Sequence, residues 1–158
     1  MFKILDEVCT PKRGTKYSAA IDLYARENIV IGAGETVKVP LGVCLEDDKF
    51  PIYLKNNLDK FYLQLEPRSS LRAKGLIAGT GIIDIDYKDE IMIILHNPTK
   101  TIDIARANYA PEYKLSCDLY EIKKGDKIAQ LLLKEHKTYL MGISTEDKRV
   151  GGFGSTGN

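Results

Sequence analysis

The sequence predicts an all-β protein, a jelly-roll-like barrel or sandwich with one short helix. Short runs rich in Ile, Val, Leu and Tyr recur at strand-and-turn spacing, and Gly, Asn, Asp and Pro separate them. Many short strands with frequent turns are typical of sandwiches, jelly rolls and barrels. The predicted strands cover residues 2–5, 21–24, 36–39, 42–45, 61–65, 82–85, 91–96, 119–122, 128–134 and 139–143.

The helix is predicted to begin near Ser69. Pro67 precedes it, Ser69 or Ser70 can cap it, and Gly75 ends it after the helix formers at residues 71–74. The segment 103–118 is predicted to be a long loop, and long loops are commonly functional.

Length and composition indicate one globular domain at 1–148 and a flexible tail at 149–158. The chain has 158 residues, and its 23 basic and 22 acidic side chains leave a net charge of +1. Direct nucleic-acid binding is therefore not expected. The three cysteines, Cys9, Cys44 and Cys117, show no metal-ligand or disulfide spacing. No signal core or membrane-length apolar run is present, so we expect a soluble protein of the cytoplasm or nucleus with no membrane partner.

Two predicted strands are apolar on both faces. Residues 91–95 and 128–133 are apolar on both faces, with Gln130 as the one polar side chain among them. In a chain of this size, covering both faces points to burial against another subunit. The sequence therefore predicts an oligomer.

The last ten residues combine features of an anion-binding tail. Glycines such as Gly154 let backbone N–H groups converge on an anion, and Ser155 and Thr156 add hydroxyl donors. Arg149 suits phosphate oxygens, and Phe153 can lie across a flat heterocycle. The alternative is a frayed, glycine-rich terminus.

Two carboxylates at Asp84 and Asp86 would share one face of a strand. Such a pair can hold a metal or raise one of the two pKa values, or it can simply be the exposed face of an antiparallel strand. Tyr87 is equally open, since tyrosines are common in strands. His96 and His136 have neither ligand spacing nor a catalytic partner in the sequence.

Three further positions suit phosphate or metal chemistry. Arg68 with Ser69 and Ser70 stands at a predicted helix start, where simple capping would explain the serines but not the arginine. Gln130 lies within an apolar run, and its amide must bond either the backbone or a ligand. Asp22 is a carboxylate in an apolar strand, and such groups are usually paired or near a metal.

Five stretches in order resemble the five motifs of the trimeric dUTP pyrophosphatases (dUTPases), and the resemblance covers nearly the whole chain. They are SAAIDLYA at 18–25, PRSSL at 67–71, GIIDIDYKDE at 81–90, GDKIAQL at 125–131 and RVGGFGSTG at 149–157. The resemblance implies a homotrimeric jelly roll with three sites at subunit interfaces. Each site would take motifs one, two and four from one subunit, motif three from a second and the tail from a third.

The resemblance also implies an activity and roles for particular residues. The enzyme would hydrolyse dUTP to dUMP and pyrophosphate, which limits uracil in DNA and supplies dUMP for dTTP synthesis. Asp84 would be the general base for a water that attacks the α-phosphorus, and Asp22 would help to hold the water shell of Mg²⁺. The implied substrate-binding residues are Arg68, Ser69, Ser70, Ala78, Gly81, Tyr87, Gln130, Arg149, Phe153, Gly154, Ser155 and Thr156. Tyr87 would lie beneath the deoxyribose and exclude a 2′-hydroxyl, and Phe153 would close over the uracil.

The chain departs from the family pattern at a few positions. Ala20 and Asp89 stand where glycines are usual, and Ala78 stands where many members have an asparagine that contacts uracil. Base recognition is therefore expected to depend more on backbone groups. The stretch between residues 97 and 125 is longer than usual, and 103–118 is a possible contact for an unknown protein partner.

Two other functions are compatible with parts of the pattern. The homologous dCTP deaminases need a glutamate base on the strand after motif three, where Ile94 stands, and they lack this tail. Some relatives act as nucleotide-sensing regulators, with 103–118 as a candidate partner surface.

Overall fold

Antiparallel strands form most of the regular structure in the computed structural model, which describes residues 1–99 and 119–143. The strands are β1 (Phe2–Ile4), β2 (Lys12–Arg13), β3 (Ile21–Tyr24), β4 (Ile29–Ile31), β5 (Thr36–Pro40), β6 (Val43–Leu45), β7 (Phe61–Pro67), β8 (Gly81–Asp84), β9 (Met92–His96), β10 (Tyr120–Ile122) and β11 (Lys127–Glu135). The helices are α1 (Ile52–Lys55), α2 (Ser69–Ala73) and the 3₁₀ turns Glu7–Cys9, Asp47–Lys49, Leu58–Lys60 and Thr138–Met141. The all-β prediction is confirmed.

The largest sheet has the order β2-β3-β11-β7-β8, and the remaining strands pair as β1–β6, β4–β10 and β5–β9. β11 is its central strand, bonded to β3 on one side and β7 on the other. Leu23, Leu63, Ile93 and Ile128 are almost completely buried between the sheets. Burial of such aliphatic side chains is the main force that holds the sheets together.

The outward face of β9 is open in the single chain. Ile93 and Leu95 point into the core, whereas Ile94 between them is 46% exposed. On β11, Leu131 is buried and Leu133 is exposed. The sequence predicted that both strands are apolar on two faces. Along β9, the single chain covers one face and leaves the face with Ile94 open.

The predicted strand at 139–143 is wrong. Thr138–Met141 forms a 3₁₀ turn against Leu58–Lys60, and Gly142 adopts a left-handed conformation with φ of 69°. Leu140 is well exposed and has no β partner within the described residues. An apolar run alone does not make a strand when no neighbouring strand is in reach.

The sequence analysis missed the two-residue strand β2, the strand β4, the helix α1 and the 3₁₀ turns Glu7–Cys9, Asp47–Lys49 and Leu58–Lys60. The predicted loop at 103–118 and the tail lie outside the described residues. Among the helices of residues 1–99 and 119–143, none has both the length and the apolar character to cross a membrane.

Candidate active site

A charged cluster forms where β3, β11 and β7 lie side by side. Asp22 of β3 is directly opposite Gln130 of β11, and only 5% of its surface is exposed. Asp22 Oδ1 accepts hydrogen bonds from Arg68 Nη1 and, at 3.3 Å, from Gln130 Nε2. Asp22 Oδ2 lies 3.3 Å from Lys127 Nζ. The fold therefore brings motifs one, two and four together within one chain.

The surroundings of Asp22 keep its carboxyl group ionised. Burial alone would raise the pKa of Asp22. The hydrogen bonds from Gln130 and Lys127 and the charge of Arg68 outweigh that effect, and the pKa lies below its ordinary value. The sequence left open whether this carboxylate is paired or near a metal, and the structure shows it paired.

We expect Asp22 to make stability depend on pH at the acid end. A carboxyl group whose pKa is lower in the folded state stabilises the protein above its unfolded pKa, near pH 4, and that contribution is lost as the pH falls through the folded pKa. Asp22→Asn should therefore lower Tm at pH 7 more than at pH 3. Thermal unfolding of both proteins across this range measures the difference. A constant gap in Tm would contradict the prediction.

The serines of motif two are not capping residues. The helix α2 begins at Ser69, its N-cap is Arg68, and no side chain makes a capping bond there. Ser69 and Ser70 are exposed, and the backbone N–H of Arg68 is bonded to the carbonyl of Ile128 at 3.0 Å. The two hydroxyls are thus left at the surface beside the Arg68–Asp22 pair.

Glu66 organises a second polar cluster two residues before Arg68. Its Oε1 accepts from Gln64 Nε2 at 2.6 Å and from Thr80 Oγ1 at 2.8 Å, and its Oε2 accepts from Arg72 Nη2 at 3.0 Å. The hydrogen bonds from Gln64 and Thr80 are the main reason that the pKa of Glu66 lies below its ordinary value. The sequence analysis missed this cluster, because the partners of Glu66 lie on β7, on α2 and before β8. It also missed Lys127 as a partner of Asp22.

Asp84 ends β8 beside a groove of about 590 Å³. Its Cα partner on β7 is Tyr62, and the N–H of Tyr87 closes a turn onto the Asp84 carbonyl at 3.1 Å. Asp84 and Asp86 both line the groove, and His136 lies on its far side with its ring 6.0 Å from that of Tyr62. Nothing in the sequence indicated that His136 would line the same groove as Asp84.

Asp84 and the charged cluster lie at opposite ends of β7. Asp84 pairs with Tyr62 near the start of the strand, whereas Arg68 follows its last residue, Pro67. Six residues of extended chain separate these levels by roughly 20 Å. Asp84 therefore does not meet Asp22, Arg68 or Gln130 of its own chain.

Tyr87 is a core residue with 5% exposure. Its hydroxyl donates to the carbonyl of Glu90 at 3.2 Å. The Glu90 carboxylate in turn accepts from the N–H of Gly42 at 2.7 Å and pairs with Arg26 at 3.1 Å. These contacts fix the turn that follows Asp84 against the body of the protein.

A second, smaller cavity lies beside residues 78–81, the hairpin segment that leads into β8. It has a volume of about 300 Å³ and is lined by Gly79, Thr80 and Gly81 of the hairpin together with apolar residues of β7 and β9. Ala78 is half-buried next to it. A Cβ at Gly81 would lie 3.4 Å from the Leu65 side chain, an ordinary van der Waals contact.

The described residues contain no group of three or more His, Cys, Asp or Glu side chains that could hold a metal. The charged cluster offers one carboxylate, Asp22, whose pKa lies below its ordinary value. This donor set fits a Mg²⁺ that keeps most of its waters and is carried by substrate phosphates. The predicted tail residues Arg149, Phe153, Gly154, Ser155 and Thr156 lie outside the described residues.

The site combines the charged cluster around Asp22, the exposed hydroxyls of Ser69 and Ser70, and the separate carboxylate of Asp84. Such a set of groups suits a β-fold protein that binds phosphate esters. The comparisons with known proteins make this class specific. The dUTPase family model matches residues 6–108. The chain belongs to the dUTPase family.

Individual relatives extend the match over nearly the whole chain. A deoxyuridine 5′-triphosphate nucleotidohydrolase of Paramecium bursaria Chlorella virus 1 is 31% identical over 98% of this chain and 94% of its own length. One from Rickettsia felis is 34% identical over 93% of this chain and 87% of its own length.

Solved structures agree in fold. The dUTPase of Streptococcus mutans is 25% identical, with a TM-score of 0.62 over 85% of this chain and 94% of that one. The dUTPase of phage phi11 of S. aureus is 24% identical, with a TM-score of 0.64 over 98% of this chain and 97% of that one. The fold is jelly-roll-like, as the sequence predicted.

Proposed function

We propose that this protein hydrolyses dUTP to dUMP and pyrophosphate, with Asp84 as the general base. The chain is an enzyme of the dUTP diphosphatase class, as its family membership indicates. The observation that carries the mechanism is the position of Asp84, which ends a strand beside an open groove. There the carboxylate can accept a proton from a water that attacks the α-phosphorus in line.

The charged cluster at the other end of β7 is the proposed phosphate site. Arg68 and Gln130 would turn from Asp22 to the phosphate oxygens, and Ser69 and Ser70 would donate from the start of α2. Mg²⁺, when bound with the substrate, neutralises charge on the triphosphate oxygens. Asp22 would hold its water shell, because the carboxylate is ionised and lies within the cluster.

The distance between the two halves supports a homotrimer with shared sites. Arg68 and Asp84 of one chain are roughly 20 Å apart along β7, too far to act on one phosphorus. A neighbouring subunit would therefore supply Asp84 to each cluster, and the open face of β9 around Ile94 offers apolar surface for the contact. Arg149, Phe153, Gly154, Ser155 and Thr156 of a third subunit would close the site.

The base would bind in the smaller cavity at the hairpin before β8. Gly79 and Gly81 line this cavity and present only backbone to it, and Ala78 adds no polar side chain. Recognition of uracil would then rest on backbone hydrogen bonds and on the limited depth of the cavity. The cellular role would be to limit uracil in DNA and to supply dUMP for dTTP synthesis.

Tyr87→Val is expected to admit UTP as a substrate. The tyrosine is buried and hydrogen-bonded to the Glu90 carbonyl, so we expect its bulk to exclude a 2′-hydroxyl. We expect the ratio of kcat/KM for dUTP to that for UTP to fall, with a lower Tm from the lost core volume. Tyr87→Phe keeps the ring and is the matched control. Unchanged discrimination in a folded Tyr87→Val protein would rule out this steric role.

Pyrophosphate release from dUTP, UTP, dCTP and dTTP, each with Mg²⁺ and with a chelator, tests the proposed function. Metal-dependent release from dUTP alone is the expected result. Release of ammonia from dCTP would instead indicate a deaminase, although Ile94 cannot transfer protons. Equal turnover of all four nucleotides, or none of dUTP, would contradict the proposal.

A further inference from the structure

Glu66 connects two parts of the chain that, in the proposed trimer, serve two neighbouring active sites, one through the base and the other through the phosphates. Thr80, which donates to Glu66 Oε1 at 2.8 Å, belongs to the hairpin at the smaller cavity. Arg72, which donates to Glu66 Oε2 at 3.0 Å, lies on α2, the helix that presents Ser69 and Ser70. Each carboxylate oxygen therefore holds a different element.

The location of Glu66 suits such a role. It lies two residues before Arg68 and directly opposite Gln130 on β11, and its side chain is 23% exposed. It is therefore next to the phosphate cluster without being part of it. Hydrogen bonds to an ionised carboxylate are stronger than neutral ones, and partial burial reduces their screening by water.

We propose that Glu66 is a positioning residue of the active site, with Oε1 holding the base-binding hairpin against β7 and Oε2 holding α2 against the phosphate cluster. This inference rests on the proposed function. The hairpin contact would act on substrate binding, because the base is unchanged by the reaction. The α2 contact would act on kcat, because charge on the phosphates develops in the transition state.

Three single variants separate the two contacts. Glu66→Gln keeps an oxygen at Oε1 for Thr80 but places an NH₂ group against Arg72. We expect it to lower kcat for dUTP about three- to tenfold with little change in KM. Arg72→Met should give the same result. Thr80→Val should raise KM by a similar factor with little change in kcat.

Double variants test whether the contacts act through Glu66. Glu66→Gln combined with Arg72→Met should be no worse than either alone, because both remove one contact. Glu66→Gln combined with Thr80→Val should show both losses in full. Glu27→Gln, at an exposed glutamate between β3 and β4, is the matched control and should keep wild-type kinetics.

Two results would overturn this inference. One is a set of folded Glu66, Arg72 and Thr80 variants with wild-type kcat and KM. The other is a fall in kcat at constant KM that follows Tm in all three variants, as expected if Glu66 served stability alone. A wild-type protein without dUTP hydrolysis would instead contradict the proposed function, so the two failures are distinguishable.

Discussion

Asp84→Asn is expected to lower kcat for dUTP by about 10²–10⁴-fold, the usual contribution of a general base. Asparagine fits the end of β8 as well as aspartate does, but its amide cannot take a proton from water. Substrate binding should survive, since the side chains proposed to hold the phosphates, Arg68 and Gln130, are unchanged. Single-turnover hydrolysis and the Kd of a non-hydrolysable dUTP analogue measure the two effects separately.

Asp59→Asn is the control for the charge of the groove. Asp59 lines the same groove as Asp84 but lies in the 3₁₀ turn Leu58–Lys60. The Asp59→Asn protein should keep most of the wild-type kcat for dUTP. Equal losses in the two variants would mean that the groove needs negative charge in general and that Asp84 is not the base.

Two inactive variants are expected to restore activity when their subunits are mixed. Arg68→Ala lacks the phosphate half of the site and Asp84→Asn lacks the base, and each should be almost inactive alone. If neighbouring subunits share each site, a random one-to-one mixture contains intact pairs at about a quarter of the sites. Activity after joint unfolding and refolding should therefore reach about a quarter of the wild-type value.

A site built within one chain gives a different result. The mixture would then show only the average of the two inactive proteins. Where Arg68→Ala fails to refold because it removes a partner of Asp22, Gln130→Ala can replace it in the mixture. Gln130 donates to the same carboxylate but carries no charge, so its loss disturbs the cluster less.

The sequence identified most of the strands because their apolar residues alternate or cluster between turn residues. It failed at 139–143, where Leu140 and its neighbours are apolar but no strand lies within reach in the described chain. It also missed the two-residue strand β2, since its hydrogen-bonded partners are fixed only by the position of β3. Pairing between distant segments is not encoded locally.

Candidate site residues could be named from the sequence where they fall in motifs, but not where only tertiary contacts link them. Asp22, Arg68 and Gln130 were identified, and the register of β3, β11 and β7 brings them together. Glu66 lies between two motifs, and its partner Thr80 is fourteen residues away. Nothing in the local sequence showed that it would contact both α2 and the hairpin.

In the proposed phosphate site, the pairing of Arg68 with Asp22 is expected to influence which anions bind. The guanidinium charge is already balanced by a carboxylate that is 5% exposed, so an incoming anion competes with that carboxylate for the arginine. A single phosphate ion offers too few contacts to outcompete it, whereas a magnesium triphosphate offers several at once. Free phosphate at millimolar concentration should therefore compete poorly, and added salt should change KM less than it would for an unpaired arginine.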